Sequence, residues 1–227
     1  MRNRLQSGWH GVLRRVLFAI AVALAGCGLC RAEQVIDDII ATVNRHAILE
    51  SELEEALGFE CLVNSRPLRD FTSDDRHQTL QRLIDQELIA EEMRSSSFVP
   101  ATAAEISERI RELRKTVPTW KTDEGWHAAL AGCGLTKEDV EERIALQVNL
   151  LRYLDLRFRP EVRIDRRAIE NYYREQLLPQ LRRAGTPEPP LNQVAPMIEQ
   201  LLVEQRINQL QSQWVRTLRS QAEVQVR

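Results

Sequence analysis

The sequence predicts a mainly α-helical fold with a small β element that joins the two ends of the chain. Three observations carry that reading. Apolar residues recur at helical spacing through most of residues 51–220. A β-branched, partly alternating run, VIDDIIATVNRHAIL, occupies residues 35–49. Residues 222–227 alternate Val224 and Val226 with polar residues, as a strand pairing with 35–43 would.

Composition narrows the function classes. Of 227 residues, 43% are hydrophobic and 28% charged, which excludes wholesale disorder. Aromatics at 5% leave a mainly aliphatic core. The net charge of −2 hides a split. Residues 1–32 carry Arg2, Arg4, Arg14, Arg15 and Arg31 and no acid; without them 26 basic residues face 33 acidic ones, a net charge near −7. That balance argues against nucleic-acid binding, which shows a basic face.

The first thirty residues read as an address. After the arginines comes an unbroken apolar run, Val16 to Ala25. A helix spanning a bilayer needs about 20 residues, so this shorter run fits the apolar part of a signal peptide. Two cleavage sites are open. Leu24-Ala25-Gly26-Cys27 is a lipobox that would leave Cys27 lipid-anchored, and Cys30-Arg31-Ala32 offers small residues before Glu33. Cleavage at Cys27 would leave a cramped tether, so release as a soluble periplasmic protein is favoured. The expected organisation is a signal peptide over 1–32 and one domain over 33–227. That domain divides into a part over 33–183, a linker over 184–190, and a final helix and strand over 191–227.

Within the domain, Asn44-Arg45-His46 interrupts the first run as a turn does. Ser51 with Glu54 has the spacing of a capping box, opening a helix that ends between Gly58 and Asn64, before Pro67. A second helix opens near Ser73 with Asp74 and Asp75 in its first turn, and Leu80, Leu83, Ile84 and Leu88 make one apolar stripe. Thr102 with Glu105 opens a third, through Ile106, Ile110 and Leu113. A short helix and a Gly132-Cys133-Gly134 turn follow. Thr136 then caps the longest apolar helix, about 137–158, whose stripe Val140, Ile144, Val148 and Leu151 is widened by Ala145, Leu150 and Leu154. A stripe that wide implies burial on more than one side. Asp165 caps a helix over 166–183. GTPEPPL, 185–191, is the clearest linker, and a last helix over 191–220 carries Ile207, Leu210, Trp214 and Leu218 on one face.

The order of these segments resembles the SurA-type periplasmic chaperones. VIDDIIATVNRHAILESELEEAL (35–57) is similar to the family's opening strands and first helix. RHQTLQRLIDQELIAEEM (76–93) looks like its second helix, GLTKEDVEERIALQVNLLRYLDLRFRPEVRID (134–165) like its long helix and link, and LVEQRINQLQSQWVRTLRSQAEVQVR (202–227) like its C-terminal helix and strand. The resemblance covers nearly all of 35–227. It implies a chaperone for unfolded or partly folded exported polypeptides, including outer-membrane β-barrel precursors. Family members usually insert parvulin-type isomerase domains before the C-terminal helix. Only about 30 residues separate Ile164 from Pro196 here, so the resemblance implies a module without catalysis, cofactor or nucleotide. The other readings are a scaffold subunit of an envelope assembly and, less favoured, a prolyl isomerase.

Candidate sites are few. His46, His77 and His127 show no metal-ligand spacing. The acids cluster in helix starts and wet faces, and no pair stands out as a catalyst. Cys61 and Cys133 either pair in an oxidising compartment or stay separate buried thiols; a pair would close a loop of about 70 residues and contribute on the order of 4 kcal/mol. Trp120, Trp126, Tyr172 and Tyr173, aromatics in otherwise polar helices, either line a client groove or anchor the core. Beyond client polypeptides, membrane contact would come only through lipidated Cys27; the oligomeric state is open.

Overall fold

A tight turn at Asn44 and Arg45 folds β1 (Ile39–Val43) back onto β2 (His46–Leu49), setting Val43 opposite His46 and Ala41 opposite Ile48. The computed structural model describes residues 37–227; the expected signal peptide over 1–32, with Cys27, lies outside the described residues. On its other edge β1 pairs antiparallel with β3 (Val224–Val226), so the sheet order is β2-β1-β3. Among the described residues the strands expected over 35–49 and 222–227 are therefore present, as Ile39–Val43, His46–Leu49 and Val224–Val226.

Asn44 fastens this closure. Its φ of 54° is left-handed, a conformation Asn adopts more easily than most residues with a Cβ. Its backbone N–H donates to the Glu223 carbonyl at 2.8 Å, and its side-chain oxygen accepts from the Glu223 N–H at 3.0 Å. Its side-chain nitrogen donates to Glu91 at 2.6 Å. Asn44→Ala loses both side-chain bonds and puts a less tolerant residue in the turn. It is expected to cost about 1 kcal/mol, read as a lower urea midpoint at unchanged slope.

Five helices follow: α1 (Glu50–Asn64), α2 (Ser73–Ser95), α3 (Ala103–Lys115), α4 (Asp123–Gly132) and α5 (Lys137–Phe158). The Thr102–Glu105 capping box is present as expected, and Thr136 caps α5 with Asp139 as its box partner. At α2 the cap is Thr72, with Asp75 as partner, one residue before the expected start. The expected Ser51–Glu54 box is not formed. Helix α1 begins earlier because Glu52 accepts from the Leu49 N–H at 2.7 Å, leaving Ser51 inside the first turn, where its N–H and hydroxyl both donate to Asp37.

These caps make the fold acid-sensitive. The Thr102 N–H, then Arg152, hold Glu105 down from 4.5 to about 2. The Arg66 guanidinium, then the Thr72 N–H, hold Asp75 well below the usual carboxylate range. Each folded-state pKa lies under its unfolded value. The stability they contribute is complete above the unfolded values and is lost as pH falls through the folded ones. Thermal midpoints are expected to drop as pH falls from 4.5 toward about 2, and Glu105→Gln should flatten part of that drop.

Three apolar clusters hold the helices. A cap cluster joins Phe59 and Leu62 of α1 to Trp120, Trp126, Leu130 and the first half of α5, with Val140 and Ile144. A sheet cluster joins Ala41, Val43 and Ile48 to Leu53 and Leu57 of α1 and to Leu80, Ile84 and Leu88 of α2. A tail cluster joins Ile89 of α2 to Leu150, Tyr153, Leu154 and Phe158 of α5 and to Ile207 near the chain's end. The wide stripe of α5 thus serves two clusters on different faces. Leu151, expected in that stripe, is 67% exposed, because the cap cluster has ended before its turn.

The stretch from Ile164 to Pro196 folds as α6 (Arg166–Tyr172), a π turn (Tyr173–Leu177), α7 (Leu178–Arg183), an irregular link and the start of α8 (Leu191–Gln221). The π turn sits just before Pro179. Proline has no N–H to continue the ladder, and the preceding Leu178 N–H reaches back to the Tyr173 carbonyl. Helix α8 lays the expected face, Ile207, Leu210 and Trp214, into the tail cluster, while Leu218 packs on the sheet cluster. Trp214 lies 5.6 Å from the Phe158 ring and under the Arg157 guanidinium at 4.4 Å. Arg219 then clasps α2, donating to Asp85 and to the side chain and carbonyl of Gln81.

Candidate functional site

Helices α1, α2 and α5 meet two at a time, each pair in a different cluster, and leave a channel where no pair meets. It has two compartments that share Leu83, Gln86 and Arg143. The first, of about 280 Å³, lies beside the sheet, under His46 and Ile48. Its other walls include Glu52 and Glu55 of α1, Glu87 of α2, and Asp139, Glu142 and Leu146 of α5. The second, of about 400 Å³, runs on between Ala56, Phe59, Glu60 and Val63 of α1, Thr79 and Arg82 of α2, and Gln147 of α5. A neighbouring hollow of about 450 Å³ shares Phe59, Val63 and Gln147 and adds Leu113 and Ile144.

The channel exists because each helix carries polar residues on an otherwise apolar face. At 100° per residue, Glu60 falls with Leu53, Ala56 and Leu57 on α1, and Glu87 with Leu80, Leu83 and Ile84 on α2. Arg143 and Gln147 fall between Val140 and Leu150 on α5. Long polar side chains at these positions cannot close into a dry core, so the helices stand apart there.

Arg143 lines both compartments of the channel. It is half-buried and has no ion-pair partner within reach among the described residues; its one side-chain hydrogen bond goes to Gln86 at 3.4 Å. Burial pushes its pKa below the ordinary arginine value, against the opposing pull of Glu55, Glu52 and Glu60. A guanidinium has five N–H donors, so most of them remain for water or a bound acceptor. In the mouth of the first compartment, burial, then the nearby Asp139 charge, raises the Glu55 carboxyl above its usual value. Glu60 is occupied, accepting from Thr79 at 3.1 Å and from Arg82.

The residues singled out by sequence lie elsewhere. Trp120 and Trp126 are buried in the cap cluster with ring centroids 5.6 Å apart, so they anchor the core and do not face a client groove. They are drawn inward because the turn before α4 folds under α3, where Arg114 stacks on Trp126 and donates to the Trp120 carbonyl. Tyr172 and Tyr173 are half-buried and away from the channel; the Tyr173 hydroxyl donates to the Pro189 carbonyl at 2.7 Å, tying the link to its helix. Cys61 and Cys133 form a disulfide, Cα to Cα 5.8 Å, between α1 and the turn after α4. His46 lies at the channel rim, 3.8 Å from Glu87, while His77 and His127 are exposed elsewhere. Among the described residues no group of three or more His, Cys, Asp or Glu side chains could hold a metal ion.

Sequence reasoning missed Arg143, Gln86 and Gln147. The signal was available, as polar residues on the buried face of α5 and at the edge of the α2 stripe. The channel offers apolar wall, neutral hydrogen-bonding groups and charge. No family model matches the chain, and no curated protein matches it.

Proposed function

We propose that the chain is a periplasmic chaperone-type protein, exported by its N-terminal segment, that holds extended stretches of unfolded or partly folded exported polypeptides without catalysis. Outer-membrane β-barrel precursors are among its proposed clients, on the resemblance to SurA-type chaperones. The observation that carries the reading is the channel between α1, α2 and α5. It is open to solvent, has Phe59, Val63 and Leu83 as apolar wall, and sets Gln86, Gln147 and Arg143 where they can meet the polar main chain of an extended segment. Such contacts are weak and reversible, as transient holding requires, and need no nucleotide.

The test is suppression of aggregation when a urea-unfolded outer-membrane β-barrel protein is diluted into buffer with the mature chain. Suppression near equimolar ratio is expected, weakened by Arg143→Gln. Absence of suppression, together with one stoichiometric partner recovered from envelope extract, would sink the chaperone reading in favour of a scaffold subunit. Turnover of a prolyl-peptide substrate would overturn the statement that no catalysis occurs.

A further inference from the structure

We propose that the channel selects extended client segments about five residues long that carry a Lys or Arg at one end and an aliphatic side chain at the other. This rests on the reading of the chain as a binder of unfolded polypeptide and specifies what that site takes.

The length follows from α1, which forms one wall throughout. Glu52 at the sheet end and Val63 at the far end are eleven residues apart on this helix. At 1.5 Å per residue that is about 16 Å, the reach of about five residues of extended chain.

Charge sets the polarity. The sheet-end compartment is lined by Glu52, Glu55, Glu87, Asp139 and Glu142, against the single guanidinium of Arg143. Three of the five acids are already engaged. Glu52 accepts from the Leu49 N–H and Asp139 from the Thr136 N–H, each at 2.7 Å, and Arg94 reaches Glu87 at 2.6 Å. Glu55 and Glu142 make no hydrogen bond or ion pair among the described residues. Burial is the main cause of the raised Glu55 pKa, and the neighbouring Asp139 charge adds to it against the pull of Arg143. An entering ammonium or guanidinium offsets the excess of acids, and an entering carboxylate adds to it.

At the other end Phe59 and Val63 are the apolar wall, beside Thr79, Gln147 and the mutually paired Glu60 and Arg82. Leu113 and Ile144 lie beyond, among Arg109, Glu112 and Thr116. Val63 is 41% exposed, an unpartnered aliphatic surface at the point where an extended side chain would arrive. Between the ends, Gln86 and Gln147 present both donors and acceptors, and Arg143 presents donors. Main-chain carbonyls and N–H groups satisfy such a lining whatever the client's sequence.

The experiment uses the mature chain and a labelled peptide with an Arg and a Leu about five residues apart. Two control peptides carry Gln or Glu in place of that Arg. Fluorescence anisotropy is expected to rank them Arg over Gln over Glu, with about tenfold between the first two. Glu55→Gln/Glu142→Gln should bring all three within about twofold. Both changes are isosteric; they relieve repulsion among the acids but remove the pull of Glu55 on Arg143, so circular dichroism and the thermal midpoint are read first, to establish that the fold is intact. Raising salt should erase the preference in the wild type and leave the variant unaffected.

Equal affinities for the Arg and Gln peptides, or a preference that survives in the double variant, would overturn the assignment. If aggregation suppression persists in either case, only the client specificity falls. If neither peptide nor unfolded client binds, the binding reading falls with it.

Discussion

Replacing Cys61 and Cys133 together by Ala is expected to lower stability by about 4 kcal/mol. The bond spans a sequence separation of 72, and closing a loop of that length removes much freedom from the unfolded chain. Both cysteines are buried in the cap cluster, Cys61 at 5% exposure and Cys133 at 9%, where apolar neighbours also pack the two segments together. The loss therefore falls mainly on the unfolded state. Urea unfolding should show the midpoint falling by about 2 M, at a slope of about 2 kcal/mol/M. The oxidised wild type treated with reductant should move the same way. A shift of less than a quarter of that size would mean the reduced, unfolded chain already keeps the two segments close.

Gly58→Ala is expected to cost about 2 kcal/mol, although alanine is the better helix former by about 1 kcal/mol. A Cβ at position 58 would stand 2.6 Å from the Cys133 carbonyl oxygen and 2.9 Å from the Leu135 side chain. The oxygen belongs to the backbone and cannot rotate away. The turn that carries it is held by the disulfide one turn along α1 and closed by the Leu135 N–H, which donates to the Leu130 carbonyl at 3.0 Å. The two predictions are therefore coupled. With the disulfide removed the turn can step back, and Gly58→Ala should then cost about half as much, a coupling that a double-mutant cycle measures directly. Strict additivity would show that the disulfide does not hold the turn against α1.

Most of the helical framework was legible because its marks are local. Thr102 and Thr136 stand where capping requires them, and the apolar stripes of α2 and α8 repeat at helical spacing. The pairing of residues 222–227 with the opening run was legible from β-alternation at both ends of the chain. Local pattern failed where a distant neighbour decides. Ser51 and Glu54 have the spacing of a capping box, but Asp37 competes for Ser51 and Glu52 reaches Leu49 first. Leu151 belongs to the apolar face of α5 by periodicity, and only the end of the cap cluster leaves it exposed. For Trp120 and Trp126 core anchoring and client contact were both open from the sequence, and the fold of α3 over them decides for the core. The channel was half legible: Arg143 and Gln147 interrupt an apolar face, but one helix cannot reveal that Glu60 and Glu87 interrupt the facing ones.

The order β2-β1-β3 bears on when this protein can fold. Its central strand is made among the first residues of the domain, and one of its two partners is Val224–Val226. The Asn44–Glu223 bonds span 179 positions, and the Arg219 clasp on Gln81 spans 138. Contacts this distant form late and slowly. A chain delivered N-terminus first, whether from a ribosome or through a narrow pore, can build helices along the way. It must wait for its final turn before the sheet closes, and until then β1 keeps an unpaired edge that any extended neighbour can occupy.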